Sequence, residues 1–287
     1  DHIKTENIFI VTANSFFNCV QHSYRKDDCP YKVLFFNKCF ALFHDKSFFS
    51  KDDIKKHFNF LARRDSDCRR YLYYKINKLN ILNKGNVSHH KSYNPRCHSQ
   101  NDILFENQLK EKLSKSDYDV YKVYSSETKL LTQNDEFNSD TIENTVFGDQ
   151  FGLTYPDICS TAFLDVVTES STDNGCLFFT EKILKSIAHK KLFLLAGNPF
   201  SLRFLQKLGF KTFPHIFDES YDTKLCKVSR FDHISNELHK FCSLSLQDVE
   251  KLKNDNKHIL DYNYEHLVKN FDCTFNIIPK IRSYLRR

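Results

Sequence analysis

The chain has 287 residues, of which 40% are hydrophobic, and a formal net charge of +6 at pH 7. This composition is sufficient for one large domain or two of ordinary size, and it excludes an intrinsically disordered chain. The charge is weaker than that of a dedicated nucleic-acid binder. No apolar run approaches the roughly 18 residues of a membrane-spanning helix. The first residues lack a secretory signal pattern, so we expect a soluble, cytoplasmic protein.

In the first half, apolar runs predict strands at 7–11, 32–36 and 40–43. Alternating residues predict a further strand at 57–61. A helix is expected from Tyr71 onwards, with Gly85 as its C-cap. We interpret the polar residues 84–102 as a loop and 104–144 as mixed, weakly helical sequence.

A basic turn lies between that fourth strand and the helix. It contains four arginines: Arg63, Arg64, Arg69 and Arg70. A strand, a basic turn and a helix start together suit a phosphate group, because arginine and helix-end N–H groups both bind anions. A solvated basic surface is the alternative interpretation.

The second half is organised around residues 161–222. An apolar strand there is followed by a Thr-Glu-Lys turn, an amphipathic helix and a second apolar strand, 192–195. We then predict a helix at 202–208 stopped by Gly209, a short edge strand at 210–213, and helices across 228–270. Strand–helix–strand units of this kind predict an α/β fold. We place the domain boundary at 150/151, giving an N-terminal α/β domain, 1–150, and a C-terminal α/β domain with terminal helices, 151–287.

The turn at the start of the amphipathic helix is the candidate anion site. Thr180 is a good N-cap, and Glu181 suits the first helical turn. Lys182 could reach the anion that the helix-end N–H groups would bind. The alternative is that Thr180 only caps the helix and Lys182 is a solvated charge.

Ten cysteines occur without a close pair. Zinc sites need paired ligands at short spacing, so we expect no metal. The nearest set is His89, His90, Cys97 and His98. Its adjacent members would not easily share one tetrahedral ion. The acids Asp218, Glu219 and Asp222 could also hold a metal, but helix capping explains them equally well. We interpret the cysteines as buried or free thiols of a reducing compartment.

Two segments carry a family resemblance. The residues from Phe163 to Ser170 together with Phe179-Thr180-Glu181-Lys182 resemble the donor-binding half of the α-1,3-fucosyltransferase class. The segment from Gly197 to Asp222 is similar to glycosyltransferase-like proteins of large DNA viruses and phages. A weaker block, Phe60 to Arg70, resembles an Asn-Arg-Arg…His-Arg segment of the same proteins. This chain has Ala62 and Cys68 where that block has Asn and His.

The resemblance implies a GT-B-like fold of two Rossmann-type halves with a cleft between them and C-terminal helices that cross back. The acceptor side would be the domain 1–150 and the donor side the domain 151–287. It implies that Glu181 binds the ribose and Lys182 the diphosphate of a GDP- or UDP-sugar. An arginine, Arg63, Arg64 or Arg69, would supply a second phosphate contact. Glu169 and Asn198 complete the expected donor site. The catalytic base and the stereochemical outcome stay unassigned, because Glu169 is only a weak candidate for the base and acids of the first half, such as Asp45 or Asp65, are equally possible. No cofactor is required beyond the nucleotide-sugar, and for a viral chain the location is the host cytoplasm.

Three hypotheses remain open on the sequence. The first is a glycosyltransferase acting on a glycan or another hydroxyl acceptor. The second is a transferase that glycosylates a modified base in DNA, although a nucleic-acid partner is not favoured by the charge. The third is a non-catalytic module of the same fold that binds a nucleotide or a partner, which the departures at Ala62 and Cys68 keep open.

Overall fold

A computed structural model describes residues 9–12, 32–35, 54–62, 65–89, 100–129, 157–169, 172, 177, 179 and 181–271. Two short parallel strands, β1 (Phe9–Thr12) and β2 (Lys32–Phe35), pair with each other. The main sheet contains four further strands. They are β3 (Lys56–Ala62), β4 (Gly85–His89), β5 (Ala162–Thr168) and β6 (Leu192–Ala196).

The main sheet is entirely parallel, and its strand order is β4-β3-β5-β6. Every residue of β5 and β6 is buried, as expected for strands covered on both faces. The apolar runs of these two strands are therefore explained by cover on both faces of the sheet, and in β6 this holds although it is an edge strand. The predicted α/β fold with a parallel sheet is confirmed.

Nine helices occur among the described residues. They are α1 (Asp67–Lys78), α2 (Gln100–Lys112), α3 (Lys115–Ser125), α4 (Asp157–Ser160), α5 (Glu181–Ala188), α6 (Ser201–Lys207), α7 (Lys227–Cys242), α8 (Leu246–Asp255) and α9 (Lys257–Phe271). Two 3₁₀ turns, Leu82–Lys84 and Glu219–Thr223, complete the regular structure. None of the helices in this part of the chain has the length and apolar character needed to cross a bilayer.

The helices form two groups around the sheet. Helix α1 contacts α3, α7 and β4, whereas α5 contacts β5, β6 and α9. The β3–α1–β4 connection moves towards one edge of the sheet, and the β5–α5–β6 connection moves towards the other edge. Because parallel crossovers are right-handed, α1 and α5 cover opposite faces.

A row of polar side chains crosses the sheet at one level. Asn59 donates from Nδ2 to Asp165 Oδ1 at 2.8 Å, and Asn86 Nδ2 donates to Asn59 Oδ1 at 2.9 Å. The three residues lie on β5, β3 and β4 in direct register. Since a slip of one residue would leave these buried groups without partners, the row helps to fix the strand register.

The predicted boundary at 150/151 lies outside the described residues. β3 nevertheless pairs with β5 across that position, so one sheet takes two strands from each predicted half. The periodicity of single segments predicts strands, but it does not say which strands pair. The GT-B arrangement of two separate halves stays a prediction.

Several local predictions can be compared directly. The strand at 57–61, the helix at 202–208 and the helices within 228–270 are confirmed. The predicted C-cap at Gly85 is wrong, because α1 ends at Lys78 and Gly85 begins β4. The predicted loop over 84–102 is wrong at two places, because β4 occupies Gly85–His89 and α2 begins at Gln100. The predicted strand at 40–43 lies outside the described residues.

The predicted edge strand at 210–213 is also wrong. Side chains occupy the backbone groups that a neighbouring strand would use. Asn263 accepts from Lys211 N at 2.8 Å and donates to Lys211 O at 2.9 Å, and Glu219 accepts from Phe213 N at 2.7 Å. The segment therefore packs in an irregular conformation against α9.

Candidate functional site

The sheet topology itself indicates where a ligand would bind. From β3 the chain continues to one edge through α1 and β4, and from β5 it continues to the other edge through α5 and β6. The connections therefore reverse direction between β3 and β5. In open parallel sheets, ligands bind outside the carboxyl ends of the strands at such a reversal. The candidate site is the carboxyl edge around Ala62 and Thr168.

Arg69 links the two sides of this reversal. It belongs to the first turn of α1, whose N-cap Ser66 accepts a hydrogen bond from the Arg69 N–H. The Arg69 side chain is only 5% exposed. Its Nε donates to Thr168 Oγ1 at 3.0 Å, and its Nη2 donates to the Thr168 carbonyl at 3.1 Å. The guanidinium is thus held in a fixed orientation at the end of β5.

Glu169 and Asn198 lie beside this arginine contact. Both are buried, and they follow the neighbouring strands β5 and β6. The Glu169 N–H donates to the Ala196 carbonyl at 3.1 Å, and a Cβ added at Gly197 would lie 3.6 Å from Glu169 Cγ. The Asn198 carbonyl accepts from the Ser201 hydroxyl at 2.7 Å, which fixes the turn into α6. Arg69, Glu169 and Asn198 therefore share one edge of the sheet.

The start of α5 is directed to the same edge. Because β5 and β6 are parallel, α5 begins on the carboxyl side of the sheet and ends on the amino side. Glu181 is the first residue of α5, and only its backbone is described; Lys182 follows it and is half-buried. Thr180, Arg63 and Arg64 lie outside the described residues. The roles predicted for these five residues stay predictions.

Arg230 is a structural residue that the sequence did not indicate. It lies in the first turn of α7 and is 1% exposed. Its Nη2 donates to the Thr172 carbonyl at 2.7 Å, and its Nη1 donates to the carbonyls of Lys224 and Leu225. The guanidinium therefore ties the segment after β5 to the segment before α7. A single arginine in an amphipathic helix resembles a surface residue, so the sequence carries no signal for this contact.

A second buried connection joins the first turns of α1 and α7. Lys227 Nζ lies 2.9 Å from Asp67 Oδ2, and both side chains are largely buried. Cys68 beside them is buried, and this burial raises the pKa of its thiol well above the usual range. Ala62 is equally buried at the end of β3. Ala62 and Cys68, which stand where the resembling block has Asn and His, are thus core positions.

The acids after residue 217 serve as caps and backbone acceptors. Asp222 accepts from the N–H groups of Leu202 and Arg203 at 2.8 and 3.1 Å, which caps α6. Asp218 caps the following 3₁₀ turn. Burial raises the pKa of Asp222 and of Glu219, whereas hydrogen bonds from backbone N–H groups partly offset the shift. The described part of the chain contains no group of three or more side chains suited to a metal ion.

No protein-family model matches the chain, and neither does any curated protein or solved structure. The geometry of the sheet edge and the resemblance of the two sequence segments are therefore the grounds for a functional assignment. These grounds come from different observations, since the topology does not depend on the motif.

Proposed function

We propose that the protein is a glycosyltransferase that moves a sugar from a GDP- or UDP-sugar to a glycan or another hydroxyl acceptor. The observation that carries this proposal is the convergence of Arg69, Glu169, Asn198 and the start of α5 at the carboxyl edge of a parallel sheet. The two resembling sequence blocks contribute residues to that edge from opposite sides of the topological reversal. Neither block alone would form a site there.

The chemistry of the reaction explains the residue types. Glycosyl transfer develops positive charge at the anomeric carbon while the diphosphate departs with growing negative charge. A fixed guanidinium, a lysine and helix-end N–H groups stabilise that charge, and they do so more strongly in a buried site. Arg69 is already oriented by Thr168, so little reorganisation is needed when the leaving group forms. Carboxylates such as Glu169 and Glu181 suit the hydroxyl groups of the ribose or sugar.

The proposal is tested with a panel of donors. GDP-, UDP- and CMP-sugars, and the free nucleotides, are screened by thermal shift and then for release of nucleotide. We expect one nucleotide class to raise the melting temperature and its sugar derivative to release nucleotide slowly even without an added acceptor. A matched control is heat-inactivated protein with the same donor.

The other hypotheses correspond to different outcomes of this screen. Binding without any release, with or without a glycan acceptor, would identify a non-catalytic nucleotide-binding module. Release that depends on added duplex DNA and falls steeply with salt would identify the DNA-modifying transferase. An absence of stabilisation by every nucleotide and donor would contradict the proposed function.

A further inference from the structure

His89 is a buried titratable residue next to the candidate site. It ends β4, and its register partner on β3 is Ala62. The imidazole is 0% exposed and stacks on the Tyr73 ring of α1, with ring centroids 4.5 Å apart. Its backbone forms two hydrogen bonds with Lys129, which closes the chain after α3 over this end of the strand. The imidazole is thus fixed by the Tyr73 ring, and the backbone of His89 by Lys129.

One hydrogen bond determines which imidazole nitrogen carries the proton. His89 Nδ1 lies 2.9 Å from the Glu127 carbonyl oxygen. A carbonyl only accepts, so Nδ1 must be the donor, and the neutral ring then has its lone pair on Nε2. Burial lowers the pKa of His89, which keeps the ring neutral at pH 7. Nε2 is buried and has no hydrogen-bond partner within the described ranges.

A buried acceptor such as His89 Nε2 destabilises the folded protein unless a bound ligand donates a hydrogen bond to it. A buried acceptor without a partner costs about 1–3 kcal/mol, and most buried polar groups are satisfied. A neutral imidazole whose first nitrogen is bonded to a backbone carbonyl, and whose second nitrogen holds a lone pair, has the arrangement of a general base. The unused lone pair therefore points to a ligand with a hydroxyl proton.

His89 lies within reach of the proposed donor site. Thr168 is level with Ala62, since each lies three residues beyond the paired Asp165 and Asn59. Strands are about 4.8 Å apart, so about 10 Å separates the backbones of His89 and Thr168. Both side chains face α1, because Thr168 binds Arg69 and His89 stacks on Tyr73, one helical turn further along. A phosphate at Arg69 and a hydroxyl at His89 would then lie on two sides of an anomeric carbon bound between them.

We propose that Nε2 of His89 accepts the proton of the acceptor hydroxyl, an assignment that rests on the function proposed above. The O–H bond of the acceptor breaks, and its proton passes to Nε2. The oxygen bonds to the anomeric carbon while the bond from that carbon to the phosphate oxygen breaks. The electron pair of that bond leaves with the nucleoside diphosphate.

The charges around the imidazole allow such a step. They belong to Asp65 and Arg70, which form an ion pair with Nη1 and Oδ2 3.5 Å apart, and to Glu127, which also accepts from the Tyr73 hydroxyl. The Asp65 carboxylate favours the imidazolium that forms, and Arg70 opposes it. In this pair the Asp65 side chain is largely buried and the Arg70 side chain is partly exposed.

The test compares His89→Asn with wild type. The asparagine amide can replace Nδ1 as donor to the Glu127 carbonyl but supplies no nitrogen at the position of Nε2. Nucleotide release from the best donor is measured together with binding of the corresponding nucleoside diphosphate. We expect release to fall at least 100-fold, the usual effect of losing a general base, and diphosphate binding to stay within twofold. His239→Asn, an exposed histidine on α7, is the matched control.

The outcomes separate the two proposals. Full release by His89→Asn with normal binding would overturn the assignment of His89 and leave the donor site intact. If wild type neither binds a nucleoside diphosphate nor releases one, the proposed function fails and the assignment fails with it. Should His89→Asn not fold, the pH profiles of wild type and Glu169→Gln decide. Release that rises with pH in the acidic range in both proteins supports His89, and a flat profile, or a rise that Glu169→Gln abolishes, overturns it.

Discussion

At the scale of single residues, the contacts that define the candidate site and its surroundings are made by buried titratable side chains. Arg69, Arg230 and His89 are each at least nine-tenths buried, and each bonds a backbone carbonyl far away in sequence. In the sequence they look like ordinary surface residues. The arginine-rich turn did indicate a basic helix start, but Thr168, the partner of Arg69, lies 99 residues away. No local pattern predicts a contact over that separation.

His89 makes stability depend on pH in a defined direction. Burial lowers its pKa in the folded state, so below about pH 6.5 the unfolded chain binds a proton that the native imidazole does not. Stability at this site therefore falls as pH decreases from 7 to 5. The raised pKa values of Glu219 and Asp222 act in the opposite direction, because protonation favours their buried forms. The contributions of Glu219 and Asp222 are the same in wild type and in a His89 variant, so they cancel when the pH dependence of the two proteins is subtracted.

We expect the loss of stability between pH 7 and pH 5 to be smaller in His89→Asn than in wild type. The measurement is the free energy of unfolding in urea at both pH values, with His239→Asn as the control. The control should follow wild type, because it changes an exposed side chain and leaves the buried His89 imidazole in place. Equal pH dependence in all three proteins would mean that the imidazole is not held neutral.

At the scale of elements, the sequence predicts the helices and strands whose apolar residues recur at a regular spacing and are buried in the core. The β5–α5–β6 unit and the C-terminal helices are of this kind. Strand β4 was missed because its sequence, Gly-Asn-Val-Ser-His, has one apolar residue. It is held instead by the Asn86–Asn59 bond, by the His89 bond and by the close contact of Gly85 with the Phe58 ring. A strand that is held by polar contacts of this type cannot be recognised from its own sequence, because the partner residues lie elsewhere in the chain.

The junction between α6 and α9 offers a test at this scale. Gly209 follows the C-cap of α6 with φ = +96°, and a Cβ there would lie 2.5 Å from the His266 ring of α9. The same ring also donates a hydrogen bond, from His266 Nε2 to the Leu208 carbonyl oxygen at 2.7 Å, since a carbonyl oxygen can only accept. Gly209→Ala should therefore destabilise the protein through both backbone strain and the clash.

We expect Gly209→Ala to lower the free energy of unfolding by at least about 1 kcal/mol, the cost of a positive φ for a residue with a Cβ. Lys207→Ala, an exposed position two residues earlier, should change it by less than about 0.5 kcal/mol. Urea unfolding measures both. An unchanged stability of Gly209→Ala would show that α6 and α9 are not packed as described.

At the scale of the molecule, the parallel sheet and the reversal of its connections indicate where a ligand would bind. The α/β class followed from the sequence, but the strand order did not, because pairing between β3 and β5 spans the predicted domain boundary. That pairing brings Arg69 of one sequence block to Thr168, the residue before Glu169 in the other. The candidate site is thus a property of the whole sheet, and neither predicted half contains it alone.

The most direct measurement is the affinity for the nucleoside diphosphate that the donor screen identifies, compared among wild type, Arg69→Gln, Lys182→Ala and Lys251→Gln by isothermal titration calorimetry. Lys251 is exposed on α8, so its variant removes one positive charge away from the site. We expect each site variant to bind at least tenfold more weakly, since a hydrogen bond to a charged group contributes about 1.5–3 kcal/mol, and Lys251→Gln to bind like wild type. Equal affinity in all four proteins would contradict a phosphate site at this edge of the sheet.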